Sequence, residues 1–343
     1  MESSRLEPNR TISSWGWGAC RGCGVVADEP GTRRTSELED QRTMDRTSVD
    51  WTGPMPAVTT PFHADGSINE ESFQQNVERL LAGGATGIVA GGCTGEFWAL
   101  THEERKRLYH LASEAGGNAG TVIVGTGAVT VDETVALTHE AEEAGCDGVL
   151  ILPPYFVKLT DDEIFAHYAA ISDAVEIPIL LYNIPGNAVN ELSPSLAGRL
   201  AELERVVAIK ESAGDWNNYY ATFLEVRDRL RVFCGPSSIY GVPAVELGAD
   251  GVIDCFPNMW VDALDLFHAP ARGDRERAGK VQALGRKLTD LCTTGGRTLY
   301  PATKAAMDMQ GLPGGGRPRA PLQPLPDEPR KGLESGLAAL GIL

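Results

Sequence analysis

A repeated unit determines the fold. It is clearest in residues 87–115, which read GIVAGGCTGEFWALTHEERKRLYHLASEA. The run 87–90 is short and apolar, as expected of a strand that is buried on both faces. A glycine-rich turn follows, and 101–115 then has the apolar spacing of an amphipathic helix. This helix opens with T-H-E-E, a capping box in which the Thr101 hydroxyl and the Glu104 carboxylate satisfy free N–H groups. The unit is therefore a β-strand followed by an α-helix.

The same unit repeats along the chain from residue 54 onward. Eight apolar runs are predicted strands: 55–60, 87–90, 121–125, 148–152, 178–182, 206–210, 231–235 and 251–254. A predicted helix follows each of them: 69–81, 101–115, 130–143, 161–174, 194–203, 216–230, 239–247 and 259–272. Eight strand–helix units are typical of an α/β protein with the (β/α)8 TIM barrel fold. A doubly wound open sheet is the main alternative, but it usually has fewer strands and carries G-x-G-x-x-G after the first one.

Three regions follow from this pattern. Residues 1–50 are rich in Ser, Thr, Arg, Glu and Gly without a sustained period, so we expect a disordered N-terminal extension. Met44 precedes the first regular element and is a candidate start of the native protein. The barrel spans 51–272. Residues 273–343 form a C-terminal helical extension, with predicted helices at 275–293, 301–309 and 330–340 and a loop rich in Pro and Gly at 311–329.

The composition argues against several classes of protein. The chain has 343 residues and a formal net charge of −17, which disfavours a surface for nucleic acid or for anionic membranes. Its apolar runs fall short of the roughly 20 residues that span a bilayer, and the N-terminus lacks the order of a secretory signal. Seven scattered cysteines fit a reducing cytoplasm better than a disulfide framework. Cys20 and Cys23 form a lone C-x-x-C, which gives little support for a zinc or redox site.

Lys210 lies where barrel enzymes carry their chemistry, at the carboxyl end of a strand, because the following loops converge there. It ends the apolar run 206–209, so its stem should rise from the barrel floor among apolar neighbours. Burial disfavours the ammonium form and lowers the pKa of a lysine, which leaves a nucleophilic amine able to form a Schiff base with a ketone. The alternative is a lysine that extends to solvent or pairs with a carboxylate such as Glu211.

Tyr182 ends the preceding apolar strand and is followed by a turn. Strands five and six of a barrel are neighbours, so Tyr182 and Lys210 can point into one pocket. A phenol in that position can move a proton to and from a carbinolamine or a substrate hydroxyl. The alternative is an ordinary half-buried aromatic residue that caps the core.

A glycine-rich turn, Gly91-Gly92-Cys93-Thr94-Gly95-Glu96, follows the second strand. Consecutive small residues allow backbone N–H groups to face a small anion, and the Thr94 hydroxyl adds a donor. A carboxylate is the expected guest, because the loop is short and lacks the lysine of a phosphate loop. The alternative is that the glycines serve only a tight turn whose backbone requires positive φ.

Three ordered motifs resemble those of the dihydrodipicolinate synthase/N-acetylneuraminate lyase family: GCTGE at 92–96, YNIP at 182–185 and IKES at 209–212. The resemblance covers 54–343 and implies a class I Schiff-base lyase on a (β/α)8 barrel, commonly a homotetramer, without metal or organic cofactor. It implies that Lys210 forms the Schiff base and that Tyr182 donates and accepts protons. Further implied substrate-binding residues are Thr94 and the backbone of Cys93 at the carboxylate, and Ile253 and Gly235 at the pocket floor.

The reaction implied by the resemblance is formation or cleavage of a C–C bond by aldol chemistry at a lysine-bound 2-oxo acid such as pyruvate. The protonated imine withdraws electrons and acidifies the C3 protons. The expected partners are this 2-oxo acid, an aldehyde acceptor and further copies of the chain, with no nucleic acid and no membrane. Elimination of a hydroxyl in a 2-keto-3-deoxy sugar-acid dehydratase uses the same imine, and 4-hydroxy-tetrahydrodipicolinate synthase proper is another alternative.

Three positions depart from the synthase pattern of the family. Where that pattern has a hydroxyl residue, a second Tyr and an Arg, this chain has Cys93, Phe156 and Asn187. In the family the first two form a hydroxyl relay with the catalytic Tyr, and the second Tyr reaches across a dimer contact. Phe156 cannot transfer a proton, and Cys93 is a weak donor. Asn187 is the neutral residue at a substrate-binding position, so the second carboxylate of an amino-acid semialdehyde would lose a bidentate partner.

Two alternative hypotheses assign the chain to other functional classes. A class II aldolase would need a metal, but the six histidines do not cluster with carboxylates at the spacing of metal ligands. A catalytically silent barrel with a binding or regulatory role is favoured by the missing relay residues and opposed by the retained Lys210 and Tyr182.

Overall fold

The structure, a computed structural model, describes residues 43–343. Its eight strands are β1 (Gly53–Pro54), β2 (Gly87–Ala90), β3 (Thr121–Gly125), β4 (Gly148–Ile151), β5 (Ile179–Asn183), β6 (Val206–Glu211), β7 (Arg231–Cys234) and β8 (Gly251–Val252). From β2 to β8 each strand pairs in parallel with the next along the chain, and β8 pairs with β1. A parallel bridge between Ala57 and Val89 joins the segment after β1 to β2. The predicted (β/α)8 barrel is confirmed.

Alternation of side chains along each strand divides the barrel core into two layers. Val89 and Ile123 point into the barrel and belong to one buried cluster. Their neighbours Ile88 and Val122 point outward and pack under the helices. Both faces of the strands are therefore buried, which explains why the strands appear in the sequence as unbroken apolar runs.

The first strand differs from its prediction. The sequence indicates a strand over 55–60, whereas the regular strand is Gly53–Pro54. Every second residue from 53 to 57 donates a backbone hydrogen bond toward β8, so the chain continues along that strand. Pro54 and Pro56 lie in the alternate positions that face β2 and have no N–H to donate, which interrupts the regular pairing.

Within residues 43–343 the α-helices are α1 (Glu70–Ala82), α2 (His102–Gly116), α3 (Val131–Glu143), α4 (Asp161–Ser172), α5 (Pro185–Ala188), α6 (Pro194–Leu200), α7 (Trp216–Val226), α8 (Ser237–Glu246), α9 (Asp265–Ala271), α10 (Arg275–Thr293), α11 (Leu299–Met309) and α12 (Asp327–Ala339). The predicted capping box at Thr101 is complete. At Thr130 the hydroxyl accepts a hydrogen bond from the N–H of Glu133. A further complete box at Thr160, which the sequence reasoning did not use, starts α4.

The C-terminal helices pack on the barrel through a second buried cluster that includes Leu266, Leu288 and Met307. The predicted helix 259–272 is divided into a short 3-10 helix, Val261–Leu264, and α9. Both α11 and α12 begin earlier than predicted, so the Pro- and Gly-rich loop ends before Asp327. These helices bring additional side chains to the carboxyl ends of the strands.

Residues 44–50 lie against the opposite end of the barrel. Arg46 forms an ion pair with Asp250, with 2.8 Å between Nη2 and Oδ1, and Met44 packs on the cluster inside the barrel. The remainder of the predicted extension 1–50, including the C-x-x-C of Cys20 and Cys23, lies outside the described residues.

Two further findings hold for the described part of the chain, residues 43–343. None of its helices is both long enough and apolar enough to cross a membrane. None of its His, Cys, Asp and Glu side chains form a group of three or more that could hold a metal ion.

Candidate active site

A cavity of about 200 Å³ opens at the carboxyl ends of the barrel strands. The predicted site residues that line it are Cys93, Thr94, Tyr182, Lys210, Gly235 and Ile253. Closure of the barrel thus brings together residues that lie near the ends of β5 and β6 with residues that follow β2, β7 and β8, as the sequence pattern predicts. Asn187 is the exception, because it is exposed on α5 and does not line the cavity.

Lys210 and Tyr182 face the interior of the barrel because of strand alternation. Ala208 and Leu180 belong to the interior cluster, and Lys210 and Tyr182 follow them by two residues. The two residues are register partners in the pairing of β5 with β6. The Lys210 ammonium nitrogen lies 4.1 Å from the centroid of the Tyr182 ring. Both side chains therefore enter the same cavity.

The Lys210 amine is buried, and the described part of the chain gives it no ionic partner. The residue is only 6% exposed, and burial lowers the pKa of its ammonium group, while electrostatic interactions with Cys93 and Asp254 oppose the shift. Lys210 forms no ion pair within residues 43–343. Glu211, the neighbouring carboxylate in β6, points to the outer face and accepts hydrogen bonds from Asn183 Nδ2 at 2.5 Å and from the Ala213 N–H at 2.6 Å. A larger share of neutral amine is the result.

The Tyr182 hydroxyl lies beside a thiol and a second hydroxyl group. Burial raises its pKa, and it interacts with the Cys93 thiol and the Ser212 hydroxyl. Ser212 Oγ is buried and makes no well-aligned hydrogen bond within the described chain. A Cβ atom at Gly235 would lie 1.6 Å from Ser212 Oγ, so glycine at this position leaves the room that the Ser212 side chain occupies. The phenol thus keeps its proton in the resting site.

The turn after β2 leaves hydrogen-bond donors available to a ligand. Gly91 adopts φ of 62°, and a Cβ atom at Gly125 would lie 2.2 Å from the Gly91 carbonyl oxygen, so both positions require glycine. The N–H groups of Cys93 and Thr94 donate to no acceptor within residues 43–343, and the Thr94 hydroxyl is likewise unpaired there. Three neutral donors beside a cavity suit one carboxylate.

Glu96 ties this turn to the C-terminal helices. Its backbone is left-handed, with φ of 57°, and its carboxylate lies 2.5 Å from Lys304 Nζ in an ion pair whose two side chains are 0% and 1% exposed. The second carboxylate oxygen accepts a hydrogen bond from the Arg319 N–H at 2.8 Å. Burial lowers the pKa of Lys304, and the Glu96 charge opposes that change. The carboxyl-terminal part of the chain therefore fixes the end of the proposed carboxylate loop.

Among the lining residues that the prediction missed, Ser212 and Tyr300 lie beside the predicted ones, because Ser212 interacts with Tyr182 and Tyr300 with Cys93. Ser212 follows Lys210 by two residues, so strand alternation could have found it. Tyr300 lies on α11, outside the repeated unit, and no local pattern marks it. Its hydroxyl interacts with the Cys93 thiol. Phe156, the position at which the family has its second relay Tyr, is 92% exposed and has φ of 76°.

Comparison with known proteins agrees with this geometry. A model of the dihydrodipicolinate synthetase family matches residues 50–340. A 4-hydroxy-tetrahydrodipicolinate synthase of Halalkalibacterium halodurans is 35% identical over 283 residues, which cover 81% of this chain and 93% of that protein. A dihydrodipicolinate synthase structure from Bacillus anthracis has a TM-score of 0.79 and 30% identity, covering 85% of this chain and 99% of that one. Another, the chloride-inhibited enzyme from Acinetobacter baumannii complexed with pyruvate, has a TM-score of 0.79 and 31% identity over 85% of this chain and 99% of its own.

The barrel and these matches define a lyase of the class I aldolase type. The chain belongs to the dihydrodipicolinate synthetase family. The resemblance noted from three short motifs is thereby confirmed over most of the chain.

Proposed function

We propose that Lys210 forms a Schiff base with a 2-oxo acid such as pyruvate and that the resulting enamine forms or breaks a C–C bond. The observation that carries the proposal is the environment of the Lys210 amine. It is buried, it has no ionic partner within the described chain, and it lies beside Tyr182 in the cavity. A catalytically silent barrel has no need of such an amine, because a buried lysine without a partner costs stability.

The proposed roles follow the path of the reaction. The Lys210 amine attacks the C2 carbonyl, and the carbinolamine loses water to give the protonated imine, with Tyr182 supplying the proton that the departing hydroxyl needs. Loss of a C3 proton gives the enamine, whose C3 attacks an aldehyde carbon, and the new alkoxide takes up a proton. Hydrolysis of the imine frees Lys210. The same steps in reverse cleave the bond.

The donors after β2 are proposed to hold the C1 carboxylate during these steps. The Thr94 hydroxyl and the N–H groups of Cys93 and Thr94 are the groups assigned to it. Ile253 and Gly235 line the floor with small or apolar surface, which leaves room for the short chain of a 2-oxo acid. A fixed carboxylate directs the C2 carbonyl toward the amine, which favours attack.

Borohydride trapping tests the proposed Schiff base. Incubation of the wild type with pyruvate and borohydride should add one reduced pyruvate to the protein, with peptide mapping placing it on Lys210. The Lys210→Ala variant should give no adduct and retain less than about a tenth of the wild-type turnover, because the nucleophile is gone. Lys280→Ala is the matched control, since Lys280 is exposed and pairs with Glu276 on α10. A full adduct on Lys210→Ala, or none on the wild type with several 2-oxo acids, would contradict the proposal.

The outer part of the cavity favours an uncharged aldehyde as the acceptor. Ser238, Thr289 and Thr293 bring hydroxyl groups to the lining, and Lys210 is the only Lys, Arg or His among the described residues that line it. Hydroxyl groups both donate and accept, as recognition of a polyhydroxy chain requires. The second carboxylate of an amino-acid semialdehyde has no cation there to pair with.

Rates with two acceptors test this preference. At saturating pyruvate, glyceraldehyde should give a kcat/KM at least about tenfold above that of aspartate semialdehyde, since a missing charge-assisted hydrogen bond costs more than 1 kcal/mol. Product analysis should identify the condensation product in each case. A preference for the semialdehyde would contradict the proposed acceptor.

A further inference from the structure

The Cys93 thiol interacts with two phenol hydroxyls, those of Tyr182 and Tyr300. Tyr300 lines the same cavity as Lys210, and its ring packs against the interior cluster that contains Cys93 and Tyr182. Tyr182 and Cys93 are 5% and 7% exposed, whereas Tyr300 is only partly buried. The three groups therefore form a path from the reacting amine toward solvent.

Phe156 cannot be the third member of a proton relay in this chain. A phenyl ring has no exchangeable proton, whichever chain it contacts. A thiol that passes its proton to Tyr182 must nevertheless regain one from another group. Among the described residues, the Tyr300 hydroxyl is the group other than Tyr182 with which the Cys93 thiol shares a side-chain hydrogen-bonding interaction.

We propose that Tyr300 is a positioning residue that completes, within one chain, the relay Tyr182–Cys93–Tyr300. The proposal rests on the function proposed above. When Tyr182 gives its proton to the departing carbinolamine hydroxyl, the thiol proton passes to Tyr182, Tyr300 restores the thiol, and water restores Tyr300. Removal of the C3 proton runs the same transfers in the opposite direction, so no net charge stays in the site.

The packing of α11 holds Tyr300 in this position. Lys304 follows Tyr300 by four residues and so lies on the same face of the helix. Its ion pair with Glu96, at 2.5 Å, anchors that face to the turn that carries Cys93. The Trp98 ring lies against the Tyr300 ring, with 5.6 Å between the centroids. Two contacts therefore fix the helix and the turn relative to each other.

Exchange of the C3 protons of pyruvate for deuterium isolates the step that the relay serves. In D2O, NMR should show exchange at least about tenfold slower with Tyr300→Phe than with the wild type, since a positioned proton-transfer group contributes at least that much. The KM for pyruvate and the extent of borohydride trapping should stay within about twofold, because binding and imine formation at equilibrium are unchanged. Tyr220→Phe, which removes an exposed hydroxyl on α7, is the matched control and should exchange at the wild-type rate.

A double-mutant cycle decides whether Tyr300 acts through Cys93. Cys93→Ala combined with Tyr300→Phe should exchange no more slowly than Cys93→Ala alone, because the path is already broken. Additive losses, or wild-type exchange by Tyr300→Phe, would overturn the relay while trapping on Lys210 leaves the proposed function intact. Absence of trapping in the wild type would overturn the proposed function itself. A thermal midpoint of Tyr300→Phe equal to that of the wild type would show that the variant is folded.

Discussion

Glu211 follows Lys210 in β6, yet its side chain lies on the opposite face of the barrel wall. Burial raises the pKa of its carboxyl group to about 7 from the ordinary 4.5, although the Ala213 N–H and Asn183 stabilise the charged form. The folded chain therefore holds this proton over a pH range in which the unfolded chain has released it. As a result, the free energy of unfolding should fall as the pH rises from about 4.5 to about 7, by up to about 3 kcal/mol from this group.

Comparison with Glu211→Gln isolates this contribution, because the variant cannot titrate at that position. Urea unfolding of the wild type and of Glu211→Gln at several pH values from 5 to 8 gives the free energy of unfolding of each protein. The difference between the two free energies should change steadily up to about pH 7 and be constant above it. A difference that is independent of pH would mean that the Glu211 carboxyl titrates normally.

At the scale of the secondary-structure elements, strand ends were the predictable part of the site. A strand inside a closed barrel is buried on both faces, so its apolar run is conspicuous, and the first polar residue after it marks the cavity. Lys210 and Tyr182 end two such runs, and the turn that contains Thr94 follows a third. Side chains alternate between the two faces of a strand, so the spacing between two positions shows whether they share a face. These positions could therefore be assigned without coordinates.

Elements outside the strands were less predictable. The alternation of side chains along a strand does not predict where the side chains of a loop or short helix point. Asn187, which was expected in the cavity, is exposed on α5. Tyr300 reaches the cavity because α11 packs across the mouth of the barrel, a contact between distant parts of the chain that no local pattern encodes. The first strand was predicted at 55–60 because Pro56 satisfies the apolar pattern, although it has no N–H for the hydrogen bonding of a regular strand.

At the scale of the whole molecule, the C-terminal segment covers the barrel and also lines the candidate active site. Lys304 and Arg319 both hold Glu96, at the end of the turn proposed to bind the substrate carboxylate. Lys304 Nζ also lies 4.4 Å from the centroid of the Phe62 ring, in the loop after the first strand segment. A change in this small cluster should therefore alter both stability and the carboxylate loop.

Lys304→Met tests that coupling. Removing one partner of a fully buried ion pair leaves the Glu96 carboxylate uncompensated and should cost about 3 kcal/mol of unfolding free energy. The double variant Glu96→Gln with Lys304→Met should recover part of the loss, because no buried charge is left alone. Lys331→Met, which breaks an exposed pair with Glu328, should change stability by less than about 1 kcal/mol. Urea unfolding measures all four proteins, and equal stabilities for Lys304→Met and Lys331→Met would mean that the C-terminal helices do not hold the turn through this ion pair.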